Sequence, residues 1–164
     1  MRLREKILKP RRPVVIYEIL PPRIVDGTIE DYVEKISTLL SQTHIDAINI
    51  PEVHLEETRG KRPIEERLRA EPREFGRLIQ DSVGIEAIIN RVTVLEKEEA
   101  QREWFRSTYL DYGIENIVLV GGESGKITYP GPSVTESSRI IEDLNNKHEL
   151  EIFCGGISLP SRTV

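Results

Sequence analysis

The stretch "NIVLVGGESGKITYPG", residues 116–131, is an apolar run that empties into a glycine-rich turn carrying a Gly-Lys pair. A strand running into such a loop suggests a phosphate-cradling nucleotide motif, and the spacing decides against it. A P-loop places a glycine five residues before the Gly of its Gly-Lys pair, and Ser or Thr directly after the Lys. Val120 and Ile127 hold those places here, and Tyr129, Pro130, Gly131 and Pro132 extend the loop where the helix should begin. What remains is a buried strand, a long loop at its C-terminal end and a helix from Val134, which together make one βα unit.

The same unit recurs on either side. "PVVIYEIL" (13–20) is a short β-branched run stopped by Pro21 and Pro22, and predicts a buried strand. Thr28 can cap a helix on which Ile29, Tyr32, Val33, Ile36, Leu39 and Leu40 recur at helical spacing. "IDAINI" (45–50) predicts the second strand, again closed by a proline. A charged stretch then leads into a helix ending near Val83. Gly84 opens the third strand, "GIEAIINRVTV", and Leu95 to Tyr112 predicts a polar-faced helix ended by Gly113. "IENIVLV", a helix over Val134 to Asn145 and "LEIFCGGISL" complete the series.

Five apolar strands separated by helices argue for an α/β fold with a parallel sheet. The spacing is that of a parallel (β/α) barrel of TIM type, which needs eight units. The expectation is therefore an incomplete barrel, one domain over 1–164 with about five of the eight units, forming the N-terminal part of a longer or two-chain barrel. A five-stranded open doubly wound sheet is the alternative.

The chain has 164 residues, of which 38% are hydrophobic and 31% charged, enough for one buried core. A net charge of −5 gives no footprint for nucleic acid, and the basic cluster between Arg2 and Arg12 reads as a solvated end. No apolar run reaches the ~20 residues of a membrane span, and no apolar h-region follows the N-terminus. The single cysteine, Cys154, excludes an internal disulfide, fits a reducing compartment and reads as a small buried hydrophobe. A cytoplasmic location is expected.

In such folds chemistry collects at the C-terminal ends of the strands. Those ends deliver Glu18 and Arg23; Asn49, Glu52 and His54; Asn90, Arg91 and Thr93; Gly121, Gly122, Glu123 and Ser124; and Gly155, Gly156, Ser158, Ser161 and Arg162. Glu18 carries the most weight. A carboxylate inside an apolar strand is costly unless paired, and desolvation would raise its pKa toward the range of a general acid. A structural ion pair with an arginine of a neighbouring strand, such as Arg91, explains it equally well. Glu18, Glu52 and Glu123 offer only oxygens, with no His or Cys spacing beside them, so no metal is expected. His54 reads as a surface histidine, and Trp104 and Tyr109 as packing residues. The Gly-Gly pairs at two strand ends leave room for a flat ligand or for another backbone. A Schiff-base enzyme would need a lysine on an inner strand position, whereas Lys126 lies in a loop.

Taken in order and spacing, "VVIYEILPPR", "DAINIPEV", "GIENIVLVGGES" and "ISLPSR" resemble the first five strands of the methylenetetrahydrofolate reductase family, over Pro13 to Arg162. The resemblance implies an oxidoreductase of one-carbon metabolism and methionine biosynthesis that acts on a CH-NH donor. It would reduce the methylene bridge of 5,10-methylenetetrahydrofolate, or of a pterin analogue, to the 5-methyl form. Glu18 matches the family's catalytic general acid. Glu123, Asn49 and Glu52 fall on the folate side, and Arg91, Thr93, Gly121, Gly122, Gly155 and Gly156 on the cofactor side. Gly121-Gly122-Glu123 replaces the family's Arg-Gly-Asp, Arg91 stands nearest its third-strand histidine, and Pro51-Glu52 replaces Thr-Tyr. Two cofactor expectations follow. Hydride from NADH or NADPH passes either through FAD or, as in flavin-free relatives, directly to the folate. The implied partners are a reduced folate or pterin, and a second copy or complementary chain completing the barrel. The alternative function is a non-catalytic partial-barrel subunit whose site its partner completes.

Overall fold

The structure, a computed structural model, describes residues 1–53, 68–122 and 128–157. Helices α1 (Leu3–Leu8), α2 (Ile29–Ser41), α3 (Pro72–Val83), α4 (Glu98–Leu110) and α5 (Val134–His148) alternate with strands. The strands are β1 (Ile16–Glu18), β2 (Ala47–Pro51), β3 (Glu86–Val92), β4 (Asn116–Val120) and β5 (Phe153–Ile157). They form one all-parallel sheet in the order β1-β2-β3-β4-β5. A doubly wound sheet reverses its strand order at a switch point. No reversal occurs among the described strands, and the sequential order is that of successive barrel units. The chain divides into two compact units, Met1–Ile89 and Asn90–Val164.

In the first unit β1 and β2 pair with Ile16 opposite Ala47 and Glu18 opposite Asn49. Ile48, Ile50, Phe75, Ile79, Ala87 and Ile89 are wholly buried around α2 and α3, where Tyr32 tilts against Phe75 at 5.7 Å. Thr28 caps α2 as the sequence predicts, its hydroxyl oxygen accepting the Asp31 N–H at 3.2 Å. Gly84 is the left-handed cap of α3, with φ +67°, before β3 begins at Glu86.

Two expectations fail in this unit. β1 is not buried: among the described strands it lies at the sheet edge beside β2 alone, and it leaves Ile16 44% and Tyr17 57% exposed. The basic N-terminus is not simply a solvated end. Leu3 on α1 is buried, and its N–H donates to the Glu86 carboxylate at 2.6 Å. Lys6 Nζ lies 3.0 Å from Asp46, and Arg12 makes two bonds to the same carboxylate, at 2.7 and 3.0 Å. No local pattern could reveal partners some forty residues apart.

Asp46 is buried and also accepts the Val15 N–H at 2.9 Å. That N–H, then Lys6 and Arg12, hold its carboxyl well below the usual carboxylate range against the opposing effect of burial. Because the folded value lies below the unfolded one, the contribution of Asp46 is complete above about pH 4 and is lost as pH falls further. Asp46→Asn is expected to cost about 2–3 kcal/mol at pH 7, less than a fully enclosed pair because both cations reach solvent. Urea denaturation at pH 7 and below pH 4 checks this, since the gap between variant and parent should narrow in acid.

In the second unit β4 pairs with β5, Asn116 opposite Phe153 through Val120 opposite Ile157. Phe105, Ile117, Leu119, Ile141 and Leu144 form its core, with Trp104, Tyr109 and Cys154 packed at its margin. Burial pushes the Cys154 thiol up, in keeping with a structural role. Asn145 ties the end of α5 to the approach of β5, donating to the Ile152 carbonyl at 2.9 Å and accepting the Ile152 N–H at 3.0 Å.

Candidate functional site

Successive strand residues point to opposite faces, so Glu18 and Asn49, opposite one another in register, share a face at the C-terminal ends of β1 and β2. The Asn49 amide nitrogen donates to a Glu18 carboxylate oxygen at 2.9 Å. The carboxylate is exposed, so the desolvation expected for a buried strand is not supplied by the described residues, and its partner there is Asn49 rather than Arg91. Glu52 follows β2 and is half-buried.

A cleft of about 640 Å³ opens between the edge of β1 and α2. Tyr17 and Leu20 line it from the strand, and Tyr32, Ile36 and Leu39 from the helix. The loop after β1 closes one end through an antiparallel bridge between Arg23 and Arg69. Ile24 N–H donates to the Leu68 carbonyl at 3.0 Å, and Ala70 N–H to the Pro22 carbonyl at 2.9 Å. Arg69 also donates a guanidinium N–H to the Pro21 carbonyl at 2.6 Å. Arg23 forks onto Asp26 at 2.7 and 2.8 Å and holds that carboxyl below its ordinary value. The Pro-Pro-Arg run that the sequence singled out thus shapes a cleft wall. Arg69 was missed, since one arginine in a charge-rich stretch carries no signal of its own.

The strand-end residues of the second unit fare differently. Arg91 is buried, donates to Gln101 at 3.0 Å, pairs with Glu96, and lies 4.7 Å over the Trp104 ring. Thr93 is wholly buried and donates its hydroxyl to the Pro132 carbonyl at 3.0 Å. Both belong to the framework packed on α4 and its loop. Asn90 takes the opposite face of β3, half-buried, and its side-chain oxygen has no hydrogen-bond partner among the described residues.

The glycines make room mainly for this chain itself. A Cβ on Gly122 would lie 2.3 Å from the Tyr129 ring, and one on Gly156 2.6 Å from Val134. Gly121 would meet Val134 at an ordinary 3.4 Å, and only above Gly155 is the space open. Glu123, Ser124 and Lys126, like His54, Ser158, Ser161 and Arg162, lie outside the described residues. Among the described residues no three His, Cys, Asp or Glu side chains stand together to hold a metal ion, and no helix is long and apolar enough to cross a membrane.

No family model matches the chain, and no curated protein matches it. A solved structure of an uncharacterized protein from Clostridium thermocellum that binds two copies of 5-methyl-5,6,7,8-tetrahydrofolic acid is similar to it, with a TM-score of 0.66 and 19% identity. The match covers 94% of this chain and 47% of that one, so the chain spans about half the length of that protein. At this identity the likeness is one of fold.

Proposed function

We propose that this chain binds a reduced folate at the C-terminal ends of its first strands and forms the first five units of a (β/α) barrel that reduces 5,10-methylenetetrahydrofolate. The observation that carries the reading is the Glu18–Asn49 pair, set in register on one face at the C-terminal ends of β1 and β2. Its support from outside is the fold shared with a protein that binds methyltetrahydrofolate.

In this reading Glu18 gives a proton to the amine nitrogen of the folate's five-membered ring. The carbon–nitrogen bond breaks with its electron pair on that nitrogen, leaving an iminium at the other. Hydride from a nicotinamide donor, NADH or NADPH, adds to the methylene carbon and completes the methyl group. The Asn49 amide, by donating to one carboxylate oxygen, fixes the orientation of the other toward the substrate. Of the positions named for FAD, Arg91 and Thr93 are buried on the chain's own partners, and Tyr129 and Val134 take the space at Gly122 and Gly156. These residues do not offer a flavin an open cradle.

Calorimetric titration with 5-methyltetrahydrofolate tests the binding step. Saturable one-site binding that weakens in Asn49→Ala is expected. A folded protein that takes up no ligand would remove the reading. A second reading, a non-catalytic subunit completed by a partner, rests on the apolar side chains exposed on both edge strands, Ile16 and Tyr17 on β1 and Ile157 on β5. A native mass of one chain at micromolar concentration would argue against it.

A further inference from the structure

The strand that carries Glu18 is held in place by little of its own. β1 has three residues and, among the described strands, pairs with β2 alone. Burial does not set its register, since Ile16 and Tyr17 are both exposed. Its pattern does not set it either, because Val14, Val15, Ile16 and Tyr17 form an unbroken apolar run with no alternation to favour one face. Yet the register decides the site. A slip of one residue would turn Glu18 to the face that Tyr17 now takes, away from Asn49.

Asp46, the residue before β2, supplies what the strand lacks. It holds Val15 at two points: its backbone N–H donates to the Val15 carbonyl at 2.8 Å, and its carboxylate accepts the Val15 N–H at 2.9 Å. The carboxylate is 1% exposed and is itself gripped by the Arg12 fork, at 2.7 and 3.0 Å, and by Lys6 at 3.0 Å. Residues 12–15 therefore wrap around one buried charge, and the next residue, Ile16, enters the ladder opposite Ala47. The same N-terminal segment is anchored a second time where Glu86 accepts the Leu3 N–H. A slipped β1 would forfeit both bonds at Val15 and strip a donor from a buried carboxylate, a loss that its exposed side chains cannot offset.

We propose that Asp46, gripped by Arg12 and Lys6, is a positioning residue that sets the register of β1 and so keeps the Glu18 carboxylate against the Asn49 amide. For its effect on a ligand it rests on the folate reading; its effect on β1 stands apart from that reading. The Ile19 N–H, which donates to the Asn49 carbonyl at 2.9 Å, reports the far end of the same ladder. It lies next to Glu18 and four residues from the clasp at Val15, so it senses the register without belonging to either.

Amide hydrogen exchange at Ile19, read by NMR on the whole chain with and without 5-methyltetrahydrofolate, tests this in the parent, Asp46→Ala, Arg12→Met and Arg12→Lys. Asp46→Ala should speed exchange at Ile19 by about 10-fold or more relative to the amides of α3 in the same unit, the usual worth of the charge-assisted bonds removed. Arg12→Met keeps Asp46 and should show a smaller change in the same direction, and Arg12→Lys a smaller one still. Arg12→Met supplies the answer if Asp46→Ala does not fold. Ligand at ten times its dissociation constant should slow Ile19 by about 10-fold in the parent and restore much of its protection in the variants, because only the paired register binds. Exchange that rises equally at Ile19 and in α3 would make Asp46 a stabilising residue only and overturn the proposal. An unchanged Ile19 in a folded Asp46→Ala would also overturn it, as would ligand that binds without slowing Ile19. A parent that takes up no ligand would overturn the folate reading instead, and the selective change at Ile19 would still establish the clasp.

Discussion

On the proposed function, replacing Glu18 by Gln is expected to lower the rate of methylenetetrahydrofolate reduction by about 10²–10⁴-fold, the usual worth of a positioned general acid. The substitution keeps the size of the side chain and an oxygen to accept the Asn49 amide hydrogen, which Glu18 now takes at 2.9 Å. It removes the proton that ring opening needs. Affinity for the product, 5-methyltetrahydrofolate, should change little, because the product requires no proton transfer. The loss should therefore appear in kcat rather than in binding. The comparison is made on turnover and on product binding in parallel, with the parent protein as reference. Equal turnover in both proteins would take the acid role away from Glu18, and loss of product binding alone would make it a binding residue.

The largest expected effect on stability is at a different place, in the loop before α5. A Cβ on Gly131 would lie 2.1 Å from the Glu96 carbonyl oxygen and 2.5 Å from that of Thr93. Both neighbours are backbone, so neither can swing aside as a side-chain tip would. The Gly131 N–H donates to the Val94 carbonyl at 2.9 Å, which binds this loop to the turn after β3. Thr93 reinforces the junction by donating to Pro132. Gly131→Ala must push the loop off that turn and break both bonds, and is expected to cost about 3 kcal/mol or more. That corresponds to a melting temperature lower by roughly 6–12 °C in a chain of this size. Gly155→Ala is the control, because nothing lies within 4 Å of its Cβ position. A melting curve of Gly131→Ala that overlays the parent's would mean that the loop is not held at this turn.

The order of elements was legible because each strand is a short apolar run bounded by Pro or Gly and each helix carries its own periodicity. Thr28 and Gly113 behave as the end signals they resemble, since capping is settled within one turn of chain. Exposure was not legible. A β-branched run reads as buried wherever it stands, yet β1 is an edge strand and its apolar residues face outward. Side-chain direction escaped for a similar reason. Asn90 and Arg91 are adjacent in sequence, but the pleat sends Arg91 among Gln101, Glu96 and Trp104, removing a cation that looked free to meet a cofactor. The Gly-Gly pairs were read as room for a flat ligand or another backbone, whereas at Gly122 and Gly156 the neighbours are the side chains of Tyr129 and Val134, which lie beyond any local pattern. The bonds of Lys6 and Arg12 to Asp46 are likewise tertiary facts.

The shortness of β1 bears on how this edge meets other chains. A sheet edge with apolar side chains is a template on which further strands can stack into aggregates. Here the edge strand is three residues long and is followed within four positions by Pro21 and Pro22, which have no N–H to offer an incoming chain. The outward side chains can thus meet a ligand or a folded partner while the backbone beside them offers little purchase for runaway strand addition.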